Sequence, residues 1–160
     1  MEVQFNDIKE SQDAGVAIIY QELALVPEMT IAENIFLGSD LMREKIINWE
    51  KLYSAALKWL DLIGLDLDPQ TKLKDLTVGK QQLIEIAKAL TKNANILILD
   101  EPTSALTESE AEILFEILKK LKAEGVTCIY ISHKLDEVLA IADSVTVLRD
   151  GQTISTDPIG

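Results

Sequence analysis

Basic residues are few. Fifteen lysines and arginines face 27 aspartates and glutamates, a formal net charge of −12. Such a chain repels phosphate backbones and anionic lipid, which argues against a nucleic-acid partner and a polybasic membrane anchor. Cysteine occurs once, at Cys128, so neither an internal disulfide nor a cysteine zinc site can form, in keeping with a reducing compartment. Long apolar runs are missing as well. Stretches such as Val138 to Ala142 fall far short of the ~20 residues that span a bilayer, and the acidic N-terminus is unlike a secretion signal. These features together place the chain inside the cell. Aromatics make up 5% of the residues, and glycines stand only at positions 15, 38, 64, 79, 125, 151 and 160. No two glycines are five apart, which excludes a Gly-x-x-x-x-Gly-Lys-Ser/Thr loop whose backbone amides would cradle a triphosphate. Lys80 does follow Gly79, but Lys74 and Gln81 occupy the other positions such a loop requires.

What the chain does have is the balance of a globular protein, 48% apolar and 26% charged over 160 residues, which is a usual size for one domain. Ala14 to Tyr20 is a compact β-branched run that suits a strand buried on both faces, stopping at Gln21-Glu22. Thr30-Ile31-Ala32-Glu33 has capping-box spacing and predicts a short helix from Ile31 to Leu37, with Gly38 beyond it. Asn48 caps a longer helix with Trp49, Leu52, Ala56, Trp59, Leu60 and Ile63 at helical spacing, and Gly64 closes it. A third helix starts near Val78 and buries Leu83, Ile86, Ala87 and Leu90. Strands and helices then alternate: Ile96 to Leu99, a helix capped by Thr107 and Glu110, Val126 to Ile131, Leu135 to Ala142, and Val145 to Leu148 with an Asp150-Gly151 turn. This order implies an α/β fold with a parallel sheet and right-handed crossovers, residues 1–29 and 91–160 forming the core and 30–90 an inserted helical subdomain.

Ligands of open parallel sheets bind beyond the carboxyl ends of the strands. Three predicted strands end there in polar groups: Gln21, the Asp100/Glu101 pair, and His133. Taken singly, Gln21 reads as a solvated loop residue and His133 as a bystander. Adjacent carboxylates after four aliphatics are more informative, because they repel unless a cation or hydrogen-bond donors hold them; a Mg²⁺ site follows.

Together these residues resemble the ATPases of ABC transporters. Ile96-Leu97-Ile98-Leu99-Asp100-Glu101-Pro102 looks like their Walker B strand, and Ser104-Ala105-Leu106-Thr107 falls at the D-loop. Tyr20-Gln21-Glu22 is similar to the Q-loop, Ser132-His133 to the switch histidine, and Leu76-Thr77-Val78-Gly79-Lys80-Gln81-Gln82 to the signature segment. The motifs stand in the family's order and cover nearly the whole chain. In wording, Ile18 to Glu22, Ala32 to Gly38, Thr77 to Leu90 and Leu148 to Gly151 resemble importers of monosaccharides such as ribose, galactose and xylose, with xylose favoured. The resemblance implies a P-loop NTPase-like cassette in which Asp100 holds Mg²⁺, Glu101 orients or deprotonates the attacking water, His133 contacts the γ-phosphate, and Gln21 senses metal and permease. It also implies that Thr77, Val78, Gly79 and Lys80, with Ser104, face ATP bound to the opposite cassette of a head-to-tail pair, the helix N-terminus supplying backbone donors. Threonine, valine and lysine here replace the serine, first glycine and glutamine of the usual Leu-Ser-Gly-Gly-Gln.

Further expectations follow from that family: ATP and Mg²⁺ as cofactors, a transmembrane sugar permease and a second cassette as partners, a sugar-binding protein acting indirectly, and a cytoplasmic place on the inner face of the plasma membrane. In the family a phosphate-cradling loop and its strand precede the Q-loop, so the chain is expected to be N-terminally incomplete, to bind ATP weakly or not at all alone, and to expose apolar sheet edges. Two other readings stand beside it. One is a non-enzymatic module that docks on a permease or lends a signature half-site. The other is a metal-dependent hydrolase built on Asp100 and Glu101 alone.

Overall fold

The computed structural model describes residues 3–21, 23–43, 46–92 and 94–159. In chain order the elements are α1 (Ile8–Asp13), β1 (Val16–Ile19), α2 (Ile31–Ile35), α3 (Asp40–Arg43), α4 (Trp49–Leu62), a 3₁₀ turn (Leu73–Asp75), α5 (Val78–Leu90), β2 (Ile96–Asp100), α6 (Glu108–Ala123), β3 (Thr127–Ile131), α7 (Leu135–Ile141), β4 (Ser144–Arg149) and β5 (Gln152–Pro158).

Local chemistry sets the helix starts. Thr30 and Thr107 both form full capping boxes, with Glu33 and Glu110 reaching back, and Asn48 and Thr77 accept from the amides of Lys51 and Lys80. The short helix stops at Ile35 rather than Leu37, because Phe36 leaves helical dihedrals (φ −101°, ψ 11°) and Leu37 bonds back only three residues, to the Asn34 carbonyl. Between residues 30 and 90 the described elements are helical, as the periodicity predicts. One buried group was not anticipated. Asn34 is fully enclosed; its side-chain oxygen accepts from the Val26 amide and its nitrogen donates to the carbonyls of Val26, Met29 and Thr30, so it satisfies a stretch of backbone that has no ladder partner.

The sheet β1-β2-β3 is wholly parallel, with Ile19 opposite Leu99 and Leu99 opposite Tyr130. Its pleat sends Ala17, Ile19, Leu97 and Leu99 into the core with Ile86, Leu114, Ile117 and Leu118. Each large aliphatic side chain enclosed in this way contributes about 1.5–3 kcal/mol. The other face departs from the expectation of strands buried on both sides. Ile18, Ile98 and Ile129 lie in register across it, and Ile18 and Ile129 are 39% and 48% exposed.

A second correction concerns the last strand. Val145 to Leu148 lies within β4, but β4 pairs antiparallel with β5, a strand the sequence reading did not include, and the two form a sheet of their own. Asp150, at φ 51°, and Gly151, at φ 75°, make the tight turn between them. Among the described residues, β3 is bonded only to β2.

Candidate functional site

The carboxyl ends of β1, β2 and β3 converge, and the polar residues predicted there fall into two adjoining groups. Gln21 and Asp100 line one open cleft of about 470 Å³, together with Tyr20, Leu23 and Ala24. Glu22 lies outside the described residues. Glu101 and His133 form the second group: Nδ1 of His133 lies 2.8 Å from Oε1 of Glu101, with the imidazole 72% and the carboxylate 30% exposed.

Glu101 reaches this position through an unusual backbone. Its φ is 46°, one of two positive values at non-glycine residues among those described. The left-handed region costs a side-chain-bearing residue roughly 1–2 kcal/mol, and Pro102 next in sequence disfavours the ordinary helical alternative. The Glu101 amide donates to the Ile131 carbonyl and its carbonyl accepts from the Ser104 amide, so both sides of the distorted residue are tied down. A strained, hydrogen-bonded carboxylate at the mouth of a parallel sheet is a feature the sequence could indicate only by the abrupt Asp-Glu-Pro stop.

Around the pair is a polar network that sequence reasoning missed. Glu137, in the first turn of α7, accepts from Tyr130 at 2.8 Å, from Ser132 at 3.3 Å and from Lys134 at 3.0 Å, while the Thr103 hydroxyl lies 2.8 and 2.9 Å from its two oxygens. Partial burial pushes the Glu137 carboxyl up, but the hydrogen bonds from Lys134, Thr103 and Tyr130 outweigh it and hold the group below its ordinary value. Burial, with Glu137 as acceptor, raises the Tyr130 phenol. Tyr130 alternates onto the core side of β3 and Glu137 follows His133 by four residues; that spacing was the only sequence signal available.

The predicted signature residues lie elsewhere, at the start of α5. Thr77 caps the helix and, with Val78, is exposed, whereas Gly79 is buried. A Cβ on Gly79 would come within 2.2 Å of Oε2 of Glu110, so a carboxylate of the same chain already sits against this helix start. Lys80 is half-buried, and its amide points to Thr77 at 3.4 Å. Ser104 is exposed in the turn after Glu101. Further along α5, Lys88 donates to the Ala24 carbonyl and lies 3.8 Å from Glu85, a contact that joins this helix to the segment just after Gln21. Burial raises the Glu85 carboxyl despite Lys88 and Lys92, and its Oε2 has no hydrogen-bond partner among the described residues.

The donor types at the cleft suit a hydrated Mg²⁺, which prefers one or two oxygen ligands from protein and keeps much of its water. Among the described residues no cluster of three or more acidic, histidine or cysteine side chains could cage a metal. A triphosphate is another matter. Among the described residues no cationic side chain lines the cleft, and the glycine spacing provides no phosphate loop, so these residues do not by themselves fit ATP.

The profile of the family described as ABC transporter matches residues 2–104. The chain belongs to the ABC transporter family. It is 70% identical over 158 residues to the xylose import ATP-binding protein XylG of Geobacillus kaustophilus (strain HTA426), covering 99% of this chain and 31% of that one. The L-arabinose transport ATP-binding protein AraG of Geobacillus stearothermophilus is 52% identical, with 96% and 30% covered. Among solved structures, the cassette MJ0796 in a dimeric post-hydrolysis state bound to ADP and Pi superposes with a TM-score of 0.82 at 25% identity, over 98% of this chain and 68% of that one. The ADP conformation of the cassette MJ1267 gives 0.76 at 30% identity, over 93% and 63%. The chain therefore spans under a third of the curated relatives it matches, and its α/β fold is that of an ABC ATPase cassette, in part.

Proposed function

We propose that this chain carries the hydrolytic pair and the signature helix of an ABC importer's nucleotide-binding cassette, and that the polypeptide it belongs to couples ATP hydrolysis to uptake of a monosaccharide, with xylose as the substrate. The observation that carries the reading is the Glu101–His133 hydrogen bond beside the Gln21/Asp100 cleft. Asp100 and Gln21 would hold Mg²⁺ at the cleft, where the ion would supply charge neutralisation. Glu101 orients the attacking water and receives its proton, and His133 holds Glu101 in the required position. Thr77 to Lys80 and Ser104 face the second cassette. The sugar assignment rests on the relatives' names, and the working location is the inner face of the membrane, against a permease that a sugar-binding protein supplies. Among the described residues no helix is long and apolar enough to cross a membrane.

Two measurements test it. Calorimetric titration of the 160-residue chain with Mg-ATP should give no tight binding, since the cleft has no cationic lining; tight binding would overturn that part. In the complete polypeptide, reconstituted with its permease, Glu101→Gln should abolish hydrolysis and xylose-stimulated turnover while leaving nucleotide binding intact. Unchanged hydrolysis in that variant would remove the catalytic assignment.

Val78, 54% exposed at the head of α5, favours a second reading in which the chain acts as a docking module. That module would co-purify with a permease or raise a partner cassette's ATPase activity, and would lose both with Gly79→Asp.

A further inference from the structure

The geometry points to Glu137 as a positioning residue that sets the mutual placement of Glu101 and His133. This rests on the hydrolytic reading of that pair. His133 and Glu101 are joined by one hydrogen bond, and the imidazole is 72% exposed. An exposed pair of this kind has little rigidity of its own, because side-chain entropy and solvent compete with the contact. The order must come from the segments that carry the two groups, and both segments are pinned to the same carboxylate.

On the histidine side, Glu137 accepts from the residue before His133, Ser132, at 3.3 Å, and from the residue after it, Lys134, at 3.0 Å. The Lys134 amide also donates to Ser132 Oγ at 3.0 Å, which closes the turn. On the glutamate side, Thr103, two residues beyond Glu101 and 3% exposed, lies 2.8 and 2.9 Å from the same carboxylate. Tyr130 fixes the carboxylate to β3 with a 2.8 Å bond, and its ring packs edge-on against Phe115 of α6. Four donors from β3, the His133 turn and the Glu101 turn thus meet at one group with a side chain only 13% exposed. Glutamine at this position loses the charge and presents a donating nitrogen on one side, so Tyr130 and Ser132 must reverse their hydroxyls to accept from it while Lys134 keeps the oxygen, and the charge-assisted bonds that tie the two turns together are lost. Glu137 touches neither nucleotide nor water in this role; it acts through the Thr103, Ser132 and Lys134 side chains of the two turns.

The test uses the fact that His133 is the only histidine. In the 160-residue chain labelled with ¹⁵N-histidine, the imidazole ¹⁵N shifts should report a hydrogen-bonded Nδ1. Glu137→Gln should return them to those of a free imidazole, and Tyr130→Phe, which removes one donor and no charge, should move them part of the way. In parallel, the complete polypeptide is assayed for ATP hydrolysis. There Glu137→Gln should lower kcat by about 10- to 100-fold, the cost of misplacing reacting groups, with KM for ATP held within about twofold. Glu137→Asp should recover part of kcat. Imidazole shifts that stay put in both variants overturn the proposal, as does a loss of activity that follows only the loss of folded protein by circular dichroism. If the wild-type polypeptide hydrolyses no ATP, the hydrolytic reading fails instead, and the imidazole shifts still decide whether Glu137 orders the pair.

Discussion

Gly79 offers a test of how the signature helix is held. Alanine at the second position of α5 gains up to about 1 kcal/mol of helix propensity over glycine. It also places a methyl group 2.2 Å from Oε2, 2.6 Å from Cδ and 2.7 Å from Oε1 of Glu110. The carboxylate must therefore move by more than 1 Å, roughly the gap between those separations and ordinary van der Waals contact. In moving it abandons the Thr107 amide at 2.9 Å and the Thr107 hydroxyl at 3.0 Å, the reaching-back half of the α6 capping box. Loss of such a cap costs about 1 kcal/mol. The two effects nearly cancel, so Gly79→Ala should leave stability close to that of the wild type. In a Glu110→Ala background the cap is already gone and the carboxylate no longer stands against the methyl group, so the same substitution should stabilise by up to about 1 kcal/mol. Urea denaturation of the four proteins in the cycle reads the coupling directly. Distant sites add within about 0.3–0.5 kcal/mol. A coupling inside that band would refute the placement of Glu110 against the glycine and, with it, the inference that this helix start is held by a carboxylate of its own chain.

Other expectations follow from single observations. Glu85 is raised by burial, so the native state binds its proton more tightly than the unfolded chain, and stability should fall as pH rises from the ordinary glutamate value through the raised one. Glu85→Gln should match the wild type in acid, exceed it at neutral pH and flatten that decline, as thermal melts between pH 4 and 8 would show; equal melting temperatures at neutral pH would contradict the assignment. Ile129, 48% exposed on the open sheet face, should tolerate lysine with under about 1 kcal/mol lost while dye binding by the apolar patch and self-association by light scattering both fall. Undiminished self-association would move the sticky surface elsewhere.

The helices and the end-of-strand site were legible because their signals are local. Thr30 and Glu33, Thr107 and Glu110, and Asn48 before Trp49 announce helix starts within four residues, and the structure forms each cap. Strand-end residues were placed by a general rule of parallel sheets, and Gln21, Asp100, Glu101 and His133 do meet at one end of β1, β2 and β3. What escaped depends on neighbours far along the chain. Alternation within Val16–Ile19 gives no indication of whether a second layer covers Ile18, so burial on both faces was assigned to a strand whose outer face is open. Gln152–Pro158 is rich in threonine and serine with a single isoleucine, so its strand character comes from pairing with β4 rather than from apolar periodicity. Glu137 carries no local sign of its partners, since Tyr130, Thr103 and Lys134 come from three different segments.

Distribution of charge explains why Asp100 and Glu101 make a poor site for an anion. Asp100 and Glu101 have no lysine or arginine among their hydrogen-bond or ion-pair partners in the described residues, while the cations near them, Lys134 and Lys88, are committed to Glu137 and to the Ala24 carbonyl with Glu85. Neither can be turned toward a phosphate without exposing a partly buried carboxylate or an unpaired carbonyl, at a cost of about 1–3 kcal/mol. The positive charge that a triphosphate needs must therefore come from outside the cleft. Until such a cation is brought to them, the two carboxylates repel a phosphate placed between them.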